Sequence, residues 1–147
     1  MKSKKLSKSA SETTFVLVLD DGEEAFATIT EFVRRENIAS ASLTAIGAFS
    51  RATVGWFDFA SHSYRKIAID QQCEVLSILG DVAEGDDDKP SVHIHAVLGL
   101  SDGTTRGGHF LDGIVHPTLE VILVETPVDL RRRKRADLGI ALIDLSD

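Results

Sequence analysis

Two histidines separated by one residue lie within a run of β-forming residues, Ser91–Val97. Side chains alternate between the two faces of a strand, so His93 and His95 point the same way and Ile94 between them points the other way. Successive side chains on one face are roughly 6.5–7 Å apart at their Cα atoms, which lets two imidazole nitrogens reach one metal ion. The pair is therefore half of a candidate metal site.

A third histidine follows the pair after a turn signal. The segment Ser101–Thr104 predicts a tight turn that closes a hairpin, and Gly107-Gly108-His109 lies beyond it. Such a hairpin returns His109 beside the first pair, and the two glycines let the backbone approach a neighbouring strand closely. Three neutral imidazoles leave one position of a zinc-like ion open for water or a ligand. The alternative is that all three are polar residues of a half-exposed strand that bind nothing.

Other residues with titratable side chains have weaker claims to a role. Glu74 and Glu120 interrupt apolar strands, and either could orient a ligating imidazole or make a structural hydrogen bond; Glu74 is the candidate general base. His116 precedes a proline, which favours an extended or turn segment, so it is either a fourth ligand or a surface residue. His62, between two serines, is expected on the surface. Cys73 has no nearby base or helix start and is interpreted as a buried, inert thiol.

The elements that must position these residues are mostly strands. Apolar residues recur at spacings of three and four between Glu23 and Glu36, which predicts one amphipathic helix with Asn37 as its left-handed stop. Short β-forming runs make up the rest. They are Thr13–Leu19, Ser42–Phe49, Ala52–Asp58, Tyr64–Ile69, Cys73–Val82, Val92–Leu98, Gly108–Leu111, Leu119–Val124 and Ile140–Leu145. The predicted fold class is α+β, with a largely antiparallel sheet that curls on itself or is covered by another subunit.

Length and composition indicate a single domain. A chain of 147 residues with 43% hydrophobic residues can form one core. No apolar run approaches the roughly 18–20 residues of a membrane-spanning helix, so no membrane partner is expected. The Lys- and Ser-rich segment 1–12 is interpreted as a flexible tail and not as a secretory signal. A single cysteine excludes an intrachain disulfide framework and fits a reducing compartment, so we expect a cytoplasmic protein.

The charge balance bears on nucleic-acid binding. The formal net charge of −7 disfavours a surface built for phosphate backbones, because non-specific affinity comes largely from clustered Lys and Arg. The exception is a run of five basic residues. They are Arg131, Arg132, Arg133, Lys134 and Arg135. Such a run is more often a solvated strand entrance or a subunit contact than a DNA clamp, and it keeps a nucleic-acid partner open.

Several motifs together resemble a known family, the plants-and-prokaryotes-conserved (PPC) domain. They occur in the family's order: Ile46–Ser50 (IGAFS), Gly55–Asp58 (GWFD), Glu74–Gly80 (EVLSILG), His93–Gly99 (HIHAVLG), Asp102-Gly103 and Gly107–His109 (GGH). The match covers residues 13–147, taken as one PPC domain, and looks like the stand-alone prokaryotic type. The resemblance implies a compact α+β subunit that assembles as a homotrimer, with His93, His95 and His109 clustered in space.

The resemblance implies more about fold than about function. Some prokaryotic members look like metal binders at these histidines, whereas plant members join the domain to AT-hooks, and this sequence contains no Arg-Gly-Arg-Pro hook. We expect a homotrimeric binding or regulatory module with a divalent metal, zinc, on the three histidines and a small-molecule ligand. Two alternatives stay open. One is a small metal-dependent enzyme with Glu74 as base, and the other is a DNA-associated protein using residues 131–135 or partner subunits.

Overall fold

The computed structural model describes residues 1–8 and 12–146, which form one helix and nine strands. The helix is α1 (Ala25–Arg35), and the strands are β1 (Lys2–Lys8), β2 (Thr13–Leu19), β3 (Ala41–Asp58), β4 (Ser63–Ile69), β5 (Cys73–Glu84), β6 (Pro90–Gly99), β7 (Thr105–Glu125), β8 (Arg131–Arg135) and β9 (Ile140–Asp144). Strand pairs among the described residues are antiparallel, apart from a single parallel bridge between β5 and β8. The predicted α+β class is confirmed.

The sheet curls until it closes on itself. The central strand β3 pairs with β5 and β7, and β6 pairs with the same two strands, so these four form a closed circuit of hydrogen bonds. Beyond this circuit, β2 and β1 extend the sheet from β7, β4 pairs with β3, and the β8–β9 hairpin adjoins β5. The apolar side chains of Phe49, Leu98 and Phe110 are fully buried in the core. The curled sheet expected from the number of strands is therefore present.

The helix covers part of this core and is fixed at both ends. Its side chains Ile29 and Phe32 are buried. The carboxylate of Glu24 accepts hydrogen bonds from two backbone N–H groups of the first turn and from the N–H of Gly113 on β7, which satisfies donors that a helix start leaves unpaired. Asn37 has a φ of 54°, the left-handed conformation predicted for the helix stop. Within the described residues, no helix combines the length and apolar composition required to cross a membrane.

The N-terminal segment differs from the prediction. Residues 2–8, interpreted as part of a flexible tail, form β1 and pair with β2. A lysine-rich strand is stable at the edge of a sheet because its backbone pairs on one side while exposed side chains such as Lys2, Lys4 and Lys5 stay in water. Residues 9–11 of the predicted tail, and Asp147 at the other end of the chain, lie outside the described residues.

Two predicted pairs of short strands are each one long strand. β3 runs through both Ser42–Phe49 and Ala52–Asp58, and β7 runs through both Gly108–Leu111 and Leu119–Val124. The register between β3 and β7 shifts at three places. Such bulges bend a strand without ending it, and they break the alternation of apolar and polar residues from which strand ends are predicted. The basic residues Arg131–Arg135, assigned to no strand from the sequence, form β8.

Candidate metal centre

The three histidines come together on the outer face of the sheet and form a cluster, the histidine triad. His93 and His95 lie on β6, and His109 on β7 is the direct cross-strand neighbour of His95. The ring centroids are 5.0 Å apart for His93 and His95, 4.9 Å for His93 and His109, and 5.5 Å for His95 and His109. One candidate ligand atom from each residue lies within 4.8 Å of the other two. The clustering predicted from the sequence is therefore present.

Local structure explains how the triad assembles. Ile94 and Ala96 are buried, so alternation along β6 leaves His93 and His95 on the outer face. The turn after β6 is closed by Leu100, whose backbone N–H donates to the carbonyl oxygen of Thr104 at 2.8 Å. This is the predicted hairpin, and its register returns His109 to a position opposite His95.

Two glycines let other groups approach His109. A Cβ on Gly108 would lie 2.5 Å from the carbonyl oxygen of Gly55, so β7 could not approach β3 as closely with any larger residue. A Cβ on Gly55 would lie 2.8 Å from the ring of Tyr64. That ring stacks on His109, with centroids 4.7 Å apart and 25° between the planes. The close backbone approach predicted from the paired glycines is confirmed, and it holds His109 between an aromatic ring and the other imidazoles.

A carboxylate and a buried guanidinium lie beside the triad. Asp81 on β5 is the cross-strand neighbour of His93, and its Oδ2 lies 3.9 Å from Nδ1 of His93. Its other oxygen accepts a hydrogen bond from Arg132, which also donates to the carbonyl oxygen of Ser91 at 3.3 Å. Arg132 is 6% exposed. Because a buried charge requires a partner, this ion pair joins the β8–β9 hairpin to the triad's sheet.

Burial favours the neutral imidazole at His93 and His109. It lowers the pKa of His109 to about 4, and any positive charge on His93, His95 or Arg132 acts in the same direction. Burial also lowers the pKa of His93, with Arg132 adding to the effect and the carboxylate of Asp81 opposing it. A neutral imidazole is the form that binds a metal ion. His109 is therefore ready to act as a ligand at neutral pH without first losing a proton.

The donor set fits a divalent metal ion. Nδ1 of His109 is buried and has no hydrogen-bond partner among the described residues. An unpartnered buried nitrogen costs free energy unless something binds the ring or rearranges around it. Imidazole nitrogens suit zinc, copper, iron and nickel. Three such ligands leave an open coordination position, as in metal sites that bind water or a substrate.

A cavity of about 480 Å³ opens onto the triad. The β8–β9 hairpin lines one part of it with Arg132 and residues 139–142. Its aromatic lining consists of Trp56, Phe57, Phe59 and Tyr64. The volume is in the range of sites for small molecules. Nothing in the local sequence pattern indicates this cavity, because its walls come from segments that meet only in the folded chain.

The predicted carboxylates lie away from the triad, and a different one lies beside it. On β5, Leu79 is the cross-strand neighbour of His95, whereas Glu74 is opposite Gly99. Glu74 is five residues from Leu79 along the strand, a distance of roughly 17 Å at about 3.4 Å per residue. Glu120 pairs with Ile46 at another part of the sheet. Asp81 interrupts an apolar strand just as Glu74 does. Its proximity to His93 depends on the register between β5 and β6, which the sequence alone does not reveal.

The remaining histidines and the cysteine are also separate from the triad. His116 lies within β7, and its Nδ1 is 2.8 Å from a carboxylate oxygen of Asp21, so it is not the fourth ligand. His62 is an exposed turn residue with a φ of 49°, as expected for a surface position. Cys73 is buried, and burial raises the pKa of its thiol. This agrees with the interpretation of Cys73 as an inert thiol.

The basic run on β8 is paired with carboxylates. In addition to the pair between Arg132 and Asp81, four ion pairs have distances from 2.9 to 3.1 Å. They join Arg131 to Glu84 and Asp88, Arg133 to Asp144, and Arg135 to Asp137. Much of the positive charge that the sequence concentrates in five residues is therefore compensated within the chain.

The family model of the Plants and Prokaryotes Conserved (PCC) domain, which is the PPC domain that the motifs resemble, matches residues 6–127. No curated protein matches the chain. Several solved structures nevertheless share its fold over most of both chains. A PPC protein from Pyrococcus horikoshii is 29% identical, with a TM-score of 0.83, and the alignment covers 91% of this chain and 92% of that one.

Two further structures carry descriptions that bear on function. A metal-containing protein from Archaeoglobus fulgidus is 33% identical, with a TM-score of 0.81 and coverage of 88% of this chain and 91% of that one. A proposed DNA-binding protein from Ralstonia eutropha is 26% identical, with a TM-score of 0.82 and coverage of 90% and 91%. The match to the family model extends over most of the sequence and agrees with the fold of these relatives. The chain belongs to the Plants and Prokaryotes Conserved domain family.

Proposed function

We propose that the protein is a homotrimeric binding or regulatory module that holds a divalent metal ion, zinc, on His93, His95 and His109. The observation that carries this proposal is the convergence at a cavity of three imidazoles, with one ligand nitrogen from each lying within 4.8 Å of the other two. The Archaeoglobus relative, 33% identical to this chain, is a metal-containing protein. A site with three protein ligands presents the ion to water or to a small ligand.

An apolar outer face supports the trimeric part of the proposal. The exposed fractions of four large apolar residues range from 38% to 61%. They are Ile46, Leu76, Leu79 and Ile122, and they line one groove of the sheet. Leu79 is the cross-strand neighbour of His95, so this face borders the triad. Exposed apolar patches on small domains commonly mark subunit contacts.

The proposal is tested by elemental analysis together with native mass. Wild-type protein purified with added zinc is expected to contain about one ion per chain, since one triad occurs in each chain. The double variant His93→Ala/His95→Ala is expected to lose the ion and keep the trimeric mass. His116→Ala is the matched control, because this exposed histidine lies outside the triad. Wild-type protein with well under one ion per chain would refute the metal site, and a monomeric mass would refute the trimer.

A second candidate function is a small metal-dependent enzyme. The observation that favours it is a cavity at the triad with Asp81 and Arg132 beside the imidazoles. A metal ion in such a site lowers the pKa of a bound water and so supplies a nucleophile. Glu74 lies too far away to act as the base. The test is metal-dependent hydrolysis of an activated aryl ester, with the His109→Ala variant as control, and equal rates in the two proteins would exclude catalysis at the triad.

A DNA-associated role has less support than either of the two metal-dependent functions. The relative from Ralstonia is a proposed DNA-binding protein, but the arginines of β8 already pair with carboxylates. DNA phosphates would have to displace these carboxylates, and the acidic chain would oppose their approach. The test is salt-dependent binding to duplex DNA by wild-type protein and by an Arg131→Gln/Arg133→Gln variant. Binding that is strong in the first and lost in the second would restore the DNA hypothesis.

A further inference from the structure

The charge in the cavity becomes unbalanced when a divalent ion binds the triad. Arg132 is the only Lys, Arg, Asp or Glu among the described residues that line the cavity, and its charge is offset by Asp81. Three neutral imidazoles add no charge to the ion. A partly buried charge is stable when it is paired with an opposite charge. The open coordination position therefore favours an anionic ligand.

The mouth of the cavity presents aromatic surface to solvent. Trp56 and Phe59 are 52% and 61% exposed, which is unusual for the largest apolar side chains outside a binding site. Phe57 supports these aromatic side chains, because its ring packs edge-on against the rings of Phe59 and Tyr64. The ring centroids are 5.1 Å apart for Phe57 and Phe59 and 5.0 Å apart for Phe57 and Tyr64. A flat or branched apolar group packed here would cover surface that is otherwise wet.

The polar groups of the cavity are few and concentrated at one end. Apart from the triad and Arg132, the polar side-chain groups of the lining are the hydroxyls of Ser91 and Tyr64 and the indole N–H of Trp56. A sugar or a nucleotide would leave many of its own polar groups unpaired in such a site, which is costly. A ligand with one charged end and an apolar body matches the lining, and about 480 Å³ limits it to a small molecule.

We infer that the cavity binds a small carboxylate with an aromatic or branched apolar body. The carboxylate occupies the open metal position on the side of Arg132, and the body packs against Trp56 and Phe59. The inference rests on the proposed metal site. The β8–β9 hairpin provides Arg132, Ile140 and Leu142 to the lining and lies beyond residues 6–127, the segment matched by the family model.

Trp56 provides a direct readout because it is the only tryptophan of the chain and lines the cavity. Zinc-loaded protein is titrated with phenylacetate, and Trp56 fluorescence is recorded. Acetate and phenylacetamide are measured by competition, since they lack the apolar body and the charge respectively. Phenylacetate is expected to bind at least about tenfold more tightly than acetate, because it also buries a phenyl ring. It is expected to bind at least about tenfold more tightly than phenylacetamide, because it also pairs a negative charge with the metal ion.

A variant at the rim tests the apolar contact without touching the metal ligands. Phe59→Ala is expected to weaken phenylacetate binding by about fivefold or more, since part of the ring contact is lost. Acetate affinity and zinc content are expected to stay unchanged. Val128→Ala is the matched control, because Val128 is also an exposed apolar residue, 67% accessible, and does not line the cavity.

The outcomes separate this inference from the metal proposal. Zinc-loaded protein that gives no saturable fluorescence change, or binds phenylacetate and acetate equally, overturns the ligand class and leaves the metal site standing. A Phe59→Ala variant with unchanged phenylacetate affinity overturns the assigned contact. Zinc-free protein that binds phenylacetate as tightly as zinc-loaded protein overturns coordination of the carboxylate and leaves the metal site standing. Protein that takes up no zinc and gives no fluorescence response overturns both proposals.

Discussion

At the scale of single residues, His109 carries the most information about the site. It is the only triad member on β7, its ring is stacked on Tyr64, and its Nδ1 is buried without a partner among the described residues. A purely structural histidine would be expected to use such a nitrogen in a hydrogen bond. A lowered pKa and an unpartnered ring nitrogen are both properties expected of a histidine that binds a metal ion.

Removal of the metal is expected to lower thermal stability. An ion that binds the folded chain and not the unfolded chain stabilises by about 2.7 kcal/mol when its free concentration is 100 times Kd, which raises Tm by roughly 5–10 °C for a domain of this size. Differential scanning fluorimetry with zinc, and with a chelator in excess, measures this shift. The His93→Ala/His95→Ala variant should show no change of Tm on addition of zinc. A change as large as that of the wild-type protein would mean that zinc binds outside the triad.

Asp81 is expected to matter because it holds a buried cation. Asp81→Asn leaves Arg132 with a neutral partner, and we expect a loss of about 2 kcal/mol in the free energy of unfolding. The loss is smaller than for a fully buried pair because the side chain of Asp81 is 33% exposed. Urea denaturation measures it. Asp137→Asn is the control, since it breaks an exposed pair with Arg135, and the explanation fails if the two variants are equally stable.

At the scale of secondary-structure elements, the site depends on the pairing of three consecutive strands, β5, β6 and β7. β6 supplies two histidines by simple alternation, and β7 supplies the third because a tight hairpin and two glycines bring it close. β5 supplies Asp81 through its register with β6. The close contact between β7 and β3 at Gly108 and Gly55 also lets Tyr64 reach His109. The triad therefore tolerates little change in strand spacing.

Gly108→Ala is expected to disturb both stability and metal binding. The new methyl group would lie 2.5 Å from the backbone oxygen of Gly55, and a backbone atom has little freedom to move away, so we expect a cost of about 1–3 kcal/mol. Urea unfolding and zinc affinity are the measurements. Gly85→Ala is the matched control, because its nearest neighbour is a carboxylate oxygen of the Asp87 side chain at 3.2 Å, which can rotate away. A Gly108→Ala variant indistinguishable from Gly85→Ala would show that the close approach is not required.

At the scale of the whole molecule, closure of the sheet leaves one face of the subunit apolar and exposed. The groove lined by Ile46, Leu76, Leu79 and Ile122 lies on the solvent-exposed surface of strands β3, β5 and β7 of the closed circuit. The α1 helix covers the other side of the sheet, where the core lies, and does not reach this groove. A second copy of the chain is the partner that the proposed trimer requires.

Ile46→Glu is expected to break the assembly. A carboxylate buried in an apolar subunit contact costs several kcal/mol unless it is paired, so the variant should have the mass of one chain in light scattering. Val128→Glu is the control, because Val128 is exposed to a similar degree and is not part of the groove. If Ile46→Glu keeps the wild-type mass, this face is not the contact that holds the subunits together.

The sequence was sufficient to predict the features that depend on local periodicity. The helix and its stop at Asn37, the outward direction of His93 and His95, and the hairpin that returns His109 all follow from spacings of a few residues. It did not reveal that residues 2–8 form a strand, because their pairing with β2 comes from a neighbour and not from an apolar pattern. Strand ends in β3 and β7 were also misplaced, because bulges interrupt alternation without ending a strand.

The side chains that surround the triad depend on contacts between strands, which local patterns do not predict. Asp81 reaches His93 through strand register, and Arg132 reaches Asp81 from a hairpin 51 residues further along the chain. The preferred candidate from the sequence, Glu74, lies on the same strand as Asp81 but at the wrong position along it. Alternation specifies the face of a strand that a residue occupies, whereas the neighbours across the sheet depend on register, bulges and closure, which are set by packing of the whole chain.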